Sequence, residues 1–291
     1  MNNSAVATMA RYEADDPANK EVSLSASIDG TTISYKKSGA GPPLVFFHGW
    51  IGNEDTFGFC HEAFARHFTV YRPAWPGYGA SGPLGQFSIE HLVELGRGFI
   101  RALGYDRVTL FGNCLGGNTA MEFARLYPEM IERMVLIEVY DFVPWYLHLL
   151  LVPGLNSFLY RMLLRSMTGF HLLNSFLPLQ VAGGSNGLRY TEEGFRRTPV
   201  STAIAFMKAI HNFARRRRDF YHTQYRCAVP TIYVEGGRSF GPVKAFRDVV
   251  ERYFGNLHIV SIPESLHNPV MERPDLFIER VLPLVVPPTR R

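Results

Sequence analysis

The sequence predicts an α/β fold, with a mostly parallel sheet of eight strands and helices on both of its faces. Short apolar runs alternate with amphipathic helical segments through most of the chain, a pattern typical of parallel sheets that are buried on both sides. Between residues 140 and 225 the alternation stops, and long apolar segments without a strand run take its place. A third observation is VTLFGNCLGGNTAMEFA, residues 108–124, in which a strand run ends at a glycine-bounded turn before a helical pattern.

The first elements are expected to be a hairpin, two further strands and a helix. VSLSASID and TISYKK flank the dipeptide Asp29-Gly30, which is typical of two-residue hairpin turns. PLVFFHG and FTVYRPA then have the composition of buried strands. A helix is expected to begin after a Ser88 cap, to run through Leu103 and to end at Gly104.

The remaining core elements follow the same alternation. RVTLFGN predicts a strand, the segment from Leu115 to Tyr127 a helix, and RMVLIEV the next strand. After the helical stretch, PTIYVEG predicts a strand, Val243 to Phe254 a helix, and LHIVSIP the last strand, before a terminal helix. This order of strands and helices predicts a parallel sheet with helices on both faces.

We divide the chain into a mobile N-terminal tail over residues 1–20, a core formed by residues 21–139 and 226–291, and a helical cap over residues 140–225. Prolines and arginines interrupt the apolar segments of the cap, so several short packed helices are expected rather than a membrane span. The apolar residues of the cap have two interpretations: a small core of its own, or a hydrophobic lid suited to a long acyl chain.

Composition and charge bound the class of protein. The 291 residues are 46% apolar and 19% charged, which is an ordinary globular balance. A net charge of +4 permits acidic partners, such as an acyl-carrier protein, a coenzyme A thioester or an anionic membrane surface, and does not require nucleic acid. Three cysteines without framework spacing favour a reducing compartment, so we expect a cytoplasmic protein without a signal peptide or transmembrane segment.

The pentapeptide GNCLG, residues 112–116, has the form of a nucleophile elbow, in which a strained turn lifts one side chain above the sheet. Glycines at both ends of the turn permit the backbone conformation that this requires. The central residue is Cys114, which also stands at the beginning of a helix, where the helix dipole favours the thiolate. The alternative interpretation of Cys114 is a small buried hydrophobic residue.

The elbow and its surroundings resemble the α/β-hydrolase superfamily, and the resemblance runs from about Val22 to Val286. HGW, at His48 to Trp50, ends the strand after which that family has half of its oxyanion hole. The resemblance implies that the backbone N–H groups of Trp50 and Leu115 stabilise the negative charge that develops on the substrate. His48 itself is expected to be structural.

PGYGASG, residues 76–82, resembles the loop after the fourth strand of the same family. The stretch also matches the dinucleotide pattern G-x-G-x-x-G. Prolines stand on both sides of it, and no acidic residue ends a following strand. We therefore expect no dinucleotide site here.

The resemblance implies a catalytic histidine after the last core strand, and SIPESLHNPVMERPDLF supplies His267 there. Most members of the family carry an aspartate at a position that is Ser239 in this chain. The haloalkane-dehalogenase and epoxide-hydrolase branch has its acid at the end of the preceding core strand, where Glu138 lies 24 residues after the elbow cysteine. Glu138 is therefore our first candidate for the acid. The alternatives, in order, are Glu235 and Asp141.

The sulfur nucleophile directs the prediction of function. A cysteine alkylated by a haloalkane becomes an inert thioether, whereas an acylated cysteine is a thioester that can react further. The CLGG of the elbow is similar to that of dienelactone hydrolases and polyhydroxyalkanoate synthases. We therefore predict an acyl-transfer enzyme, a thioesterase, esterase or acyltransferase, with a Cys-His-Glu triad. Its substrate is expected to be a small hydrophobic acyl compound, either free or carried on coenzyme A or an acyl-carrier protein. No metal or organic cofactor is implied.

Two other classes of function stay open: a lyase that uses the same histidine, and a non-catalytic ligand receptor on the same fold. The basic run from Arg215 to Arg218 also has two interpretations. It is either a solvated helix end, where cations are favourable, or a docking patch for an acidic carrier.

Overall fold

The computed structural model describes residues 20–83, 85, 87–140, 145–176, 184–217, 226–239 and 241–286. Its strands form one eight-stranded sheet in the order β1-β2-β4-β3-β5-β6-β7-β8. β2 is antiparallel to both of its neighbours, and all other pairs are parallel. The strands are β1 Val22–Ile28, β2 Thr31–Ser38, β3 Pro43–Phe47, β4 Thr69–Pro73, β5 Val108–Asn113, β6 Ile131–Ile137, β7 Thr231–Gly236 and β8 Leu257–Ile262.

Helices surround the sheet. The α-helices are α1 His61–Ala65, α2 Ile89–Ala102, α3 Leu115–Leu126, α4 Asn156–Leu159, α5 Met167–Phe176, α6 Gly184–Arg197, α7 Val200–Arg217, α8 Gly241–Tyr253, α9 Pro269–Glu272 and α10 Pro274–Val285. Two 3-10 helices, Pro128–Met130 and Trp145–Leu151, and a π-helical turn, Tyr160–Leu164, complete the helical elements. The predicted α/β fold, with a mostly parallel eight-stranded sheet, is confirmed.

The core has one layer on each face of the sheet because successive strand residues point to opposite sides. In β3, Val45 and Phe47 pack into a cluster that includes apolar residues of α2, α3 and α8. Leu44 and Phe46 of the same strand pack into a second cluster with apolar residues of α1 and α10. The strands are therefore buried on both sides, which explains their nearly continuous apolar composition.

The turn and the helix ends that were predicted for the first half of the chain are confirmed. Asp29 and Gly30 both have positive φ, 47° and 80°, as a two-residue hairpin turn between β1 and β2 requires. The Ser88 side chain accepts a hydrogen bond from the His91 N–H at 3.1 Å and caps α2. After α2, Gly104 has a φ of 82°, the left-handed conformation that ends many helices.

The region between β6 and β7 carries α4 to α7 and no strand among its described residues, and we call it the cap. α7 buries Ala203, Phe206, Met207, Ile210 and Phe213. The division into tail, core and cap at residues 20, 140 and 225 stays a prediction. Among the described residues, no helix is both long enough and apolar enough to cross a bilayer.

Candidate active site

The turn between β5 and α3 holds Cys114 in a conformation that few non-glycine residues adopt. Its φ and ψ are 53° and −117°. A Cβ atom on Gly112 would lie 2.5 Å from the Gly116 carbonyl oxygen, and one on Gly116 would lie 2.1 Å from the Phe47 carbonyl oxygen. The backbone can approach itself this closely only with glycine at both positions. The sequence pattern of the elbow thus corresponds to a real strained turn.

His267 and Glu138 meet beside this turn. His267 lies in the loop between β8 and α9, and its Nδ1 is 2.9 Å from the Glu138 carboxylate, which directly follows β6. The imidazole is also hydrogen-bonded to the Cys114 thiol. Because Nδ1 donates to the carboxylate, Nε2 is the ring nitrogen left for the sulfur. The three first-choice residues, Cys114, His267 and Glu138, therefore form one continuous chain of contacts.

The pair of Cys114 and His267 is electrostatically coupled. Burial would raise the pKa of the Cys114 thiol, but the charge of His267 and hydrogen bonds from His267, Tyr140 and the Leu115 backbone lower it below its usual value. Burial would lower the pKa of His267, but the Cys114 charge and the contacts with Cys114 and Glu138 raise it to about 10. The contact therefore favours the thiolate–imidazolium form of the pair over the neutral thiol and imidazole.

Ser239 is a site residue that the sequence analysis missed. It occupies the position at which most members of the resembled family carry an aspartate, and the sequence alone indicates only the loss of that acid. In the structure its hydroxyl donates a hydrogen bond to the Glu138 carboxylate, and the Gly236 N–H donates another. Glu138 is fully buried, so these donors replace the water that a carboxylate needs. The sequence feature that could have indicated this role is the small hydroxyl residue, Ser239, at the position of the missing aspartate.

We expect the Ser239→Ala variant to lose about tenfold in kcat/KM on an activated ester, because hydrogen bonds to charged groups contribute roughly 1.5–3 kcal/mol. The measurement is steady-state kinetics, with thermal unfolding as the check of folding. Ser265→Ala is the matched control, since Ser265 is equally buried but donates to the Ile262 carbonyl. Equal losses in the two variants would contradict a role of Ser239 toward Glu138.

The turn after β3 brings Trp50 to the elbow. A Cβ atom on Gly49 would lie 3.0 Å from the Cys114 Cβ, so the two turns are in direct contact. The Trp50 carbonyl accepts a hydrogen bond from the Tyr78 hydroxyl, and its indole N–H donates to the Ala203 carbonyl of α7 at 2.7 Å. Trp50 is thus fixed by both the PGYGASG loop and the cap. The PGYGASG loop thus helps to hold Trp50 in place.

The second predicted donor, the Leu115 N–H, is the first backbone N–H of α3 and is hydrogen-bonded to the Cys114 sulfur. His48, between β3 and Trp50, has a structural environment. Its Nε2 accepts from the Trp75 N–H at 3.0 Å, and its Nδ1 donates to the Gly49 carbonyl at 2.8 Å. Burial lowers the pKa of His48 to about 4, so the ring is neutral and both nitrogens are occupied.

The first alternative acid, Glu235, has a different partner. Glu235 forms an ion pair with Arg247 of α8, with 2.7 Å between the Glu235 carboxylate and Nη1 of the arginine. Asp141 lies outside the described residues. Of the two candidates that are described, Glu138 is the one that contacts His267.

Tyr140 is a second site residue without a clear sequence signal. Its hydroxyl is 3.9 Å from the Cys114 sulfur, and its ring centroid is 5.5 Å from that of His267. The Asn118 side chain donates to the Tyr140 carbonyl at 3.0 Å and fixes the backbone there. A phenolic hydroxyl therefore lies beside the sulfur and stabilises its thiolate form. No cluster of three or more His, Cys, Asp or Glu side chains suited to a metal ion occurs in the described ranges.

Comparison with known proteins gives a family-model match and several relatives named as hydrolases or esterases. The family model of the α/β-hydrolase fold matches residues 42–164. A soluble epoxide hydrolase of Corynebacterium sp. is 32% identical over 115 residues, which cover 39% of this chain and 40% of that protein. Pimeloyl-[acyl-carrier protein] methyl ester esterase of Nitrosomonas europaea is 23% identical over 262 residues, which cover 85% of this chain and 97% of that protein.

The solved structure of an epoxide hydrolase from Vigna radiata superposes with a TM-score of 0.75 at 17% identity, over 91% of this chain and 98% of the other. In six curated relatives with 31–35% identity, the match spans only 33–40% of their length. The strand order, the elbow, the family model and the structural neighbours agree. The chain therefore has the α/β-hydrolase fold.

Proposed function

We propose that this protein is an acyl-transfer enzyme, a thioesterase, esterase or acyltransferase, whose nucleophile is the Cys114 sulfur. The observation that carries the proposal is the contact chain from Cys114 through His267 to Glu138 at a strained strand-to-helix turn. A thiolate formed by an adjacent imidazolium is an activated nucleophile at neutral pH. The three groups have the roles of nucleophile, acid–base and orienting acid.

In the first half of the reaction, the thiolate adds to the carbonyl carbon of a thioester, ester or lactone. The carbonyl electron pair moves to the oxygen, and the backbone N–H groups of Trp50 and Leu115 hold the resulting charge. The imidazolium of His267 then gives its proton to the departing alkoxide or thiolate as the bond to the leaving group breaks. The products of this half are acyl-Cys114 and a neutral imidazole.

Acylation itself prepares His267 for the second half. Burial lowers the pKa of His267, and the charge of Cys114 is the largest of the causes that raise it. Once the sulfur is acylated that charge is gone, so burial favours the neutral base. Neutral His267 takes a proton from water, an alcohol or a thiol as this acceptor attacks the thioester. The carbon–sulfur bond then breaks, and the thiolate–imidazolium pair returns.

The sulfur also favours acyl substrates over the epoxides and haloalkanes of the related branch. Opening of an epoxide by Cys114 would give a thioether. Water does not hydrolyse a thioether, so the enzyme would not be regenerated. The ester named for the Nitrosomonas europaea relative is consistent with acyl chemistry on this fold. We extend the proposal to acyl groups on coenzyme A or an acyl-carrier protein, since the net charge of +4 suits acidic carriers.

A hydrophobic acyl group is supported by the aromatic residues next to the Trp50 turn. The ring of Phe195 in α6 lies 5.4 Å from that of Trp50 and 5.7 Å from that of Phe170 in α5. Phe170 and Phe195 are buried in the hydrophobic core and Trp50 packs against it, so apolar surroundings extend to the turn that holds Trp50. The basic run is less informative, because Arg216 is paired with Glu90 of α2 at 2.8 Å and Arg218 lies outside the described residues.

The test is intact-mass spectrometry after rapid mixing with p-nitrophenyl esters of increasing acyl length. We expect a burst of nitrophenol stoichiometric with the enzyme and a mass increase equal to one acyl group. Cys114→Ala should show neither. Cys60→Ala is the matched control, because burial raises the pKa of the Cys60 thiol and this thiol hydrogen-bonds the Phe57 carbonyl, so its removal should leave the adduct intact.

The outcomes distinguish the classes of function. Turnover that persists in Cys114→Ala without any adduct would overturn the proposal, because water activated by His267 would then cleave the ester directly. Tight reversible binding of an acyl compound with neither burst nor turnover would overturn it in favour of a receptor.

A further inference from the structure

The first helical part of the cap exposes an unusual share of large apolar side chains. Of eleven exposed large hydrophobic residues in the described part of the chain, seven lie between residues 149 and 172. Phe158 is 59% exposed and Met162 is 46% exposed. We define the cap face as the exposed residues Val152, Leu155, Phe158, Arg161, Met162 and Arg165.

The geometry of α4 and its π-helical continuation explains this exposure. Phe158, Arg161, Met162 and Arg165 recur at helical spacing and point to one side. The opposite side is buried, with Asn156, Tyr160 and Leu164 packed toward the protein. The Tyr160 hydroxyl donates to the Phe195 carbonyl at 3.3 Å, which fixes the orientation of the helix. The buried side fixes the helix, so the apolar and cationic side chains of the cap face stay exposed to solvent.

Charge indicates what covers this face. The sequence contains no Asp or Glu from residue 142 to residue 191, so no acid in this stretch offsets the cap arginines. Neither Arg161 nor Arg165 forms an ion pair with any described residue. An apolar stripe flanked by unpaired arginines matches the interface of an anionic bilayer, where acyl chains meet charged headgroups. A symmetric contact between two copies would bring four guanidinium groups together, which is unfavourable.

We propose that the cap face binds the surface of an anionic lipid bilayer. Phe158 and Met162 insert at the level of the acyl chains, and Arg161 and Arg165 contact the phosphate groups of the lipids. The cap thereby rests on the membrane while the sheet stays in water. This inference does not depend on the chemistry of Cys114, and binding is measured without a substrate.

The test is sedimentation of the full-length protein with vesicles of phosphatidylglycerol or of phosphatidylcholine. We expect binding to the phosphatidylglycerol vesicles that weakens with added salt, and at least about tenfold weaker binding to phosphatidylcholine. The double variant Phe158→Ser/Met162→Ser should lose about tenfold or more in affinity for phosphatidylglycerol, because it removes the apolar groups that insert. Thermal unfolding should be nearly unchanged because both residues are exposed.

Charge reversal supplies the matched control. Arg161→Glu/Arg165→Glu should abolish binding, whereas Arg97→Glu/Arg101→Glu on α2 should keep it, although both variants change the net charge by the same amount. Failure of the unmodified protein to bind phosphatidylglycerol vesicles would overturn the proposal. Equal losses from the two charge reversals would also overturn it. Light scattering that shows cap-face-dependent dimers, or capture of an acyl-carrier protein, without vesicle binding would assign the face to a protein partner instead.

Discussion

Replacing Glu138 by glutamine is expected to lower kcat/KM for an acyl ester by about 10³–10⁴, the order of loss found when the acid of a catalytic triad becomes an amide. The amide removes the negative charge that supports the imidazolium of His267. It also cannot accept all three hydrogen bonds that His267, Gly236 and Ser239 donate to the carboxylate. The measurement is kcat/KM with a p-nitrophenyl ester, and circular dichroism checks that the variant is folded.

Glu235→Gln is the control for this prediction. Glu235 is one residue from Gly236 but pairs with Arg247 on the surface of α8. Its replacement should change kcat/KM less than about threefold, since a partly exposed ion pair contributes only about 0–1 kcal/mol. A large loss in Glu235→Gln together with a small one in Glu138→Gln would show that the acid is misassigned.

The second large effect concerns the ionisation of Cys114. In the unmodified protein, alkylation of Cys114 by iodoacetamide should be fast at neutral pH, since the lowered thiol pKa keeps the reactive thiolate populated. His267→Ala removes the largest cause that lowers this pKa and leaves burial, which raises it. We expect the rate at neutral pH to fall by about tenfold or more, because a cysteine thiol with its ordinary pKa of about 8.5 is mostly protonated there.

The sign of the pH dependence follows from the same causes. In the unmodified protein the alkylation rate rises with pH through the lowered pKa of Cys114 and then stays level, and His267 keeps its proton up to about pH 10. In His267→Ala the rise moves to alkaline pH. Mass spectrometry of the three cysteine peptides measures each rate, and the buried Cys60 peptide is the internal control. Unchanged alkylation of Cys114 at neutral pH in His267→Ala would rule out the ion pair.

The elements of the fold could be predicted because local chemistry determines them. The Asp29-Gly30 turn, the Ser88 cap and the apolar runs of the strands each need only a few neighbouring residues. The arrangement of the cap could not be predicted, because apolar segments without a clear period fit several packings of short helices. Its exposed apolar face could not be predicted either, since sequence alone does not tell which side of such a helix is buried.

The candidate site was predictable where one motif determines it, as at Cys114. The environment of Glu138 was not, because it depends on the pairing of two strands that are distant in sequence. Ile137 of β6 is opposite Val234 of β7, so the residue after β6 lies next to Gly236 and the loop that holds Ser239. Successive side chains of a β-strand point to opposite faces of the sheet, and the Glu235 side chain of β7 points away from the histidine and toward α8.

The hydrogen bond from the Trp50 indole to the Ala203 carbonyl couples the turn after β3 to helix α7 of the cap. A hydrogen bond of 2.7 Å is lost when its atoms move apart by about 1 Å, so α7 cannot lift without releasing Trp50. Any movement of α7 away from the sheet therefore disturbs the same tryptophan whose backbone N–H would stabilise the transition state of the proposed reaction. If the substrate enters by a movement of α7, the Trp50 N–H would not be in place while the cap is open. Each turnover would then need α7 to close again before the chemical step.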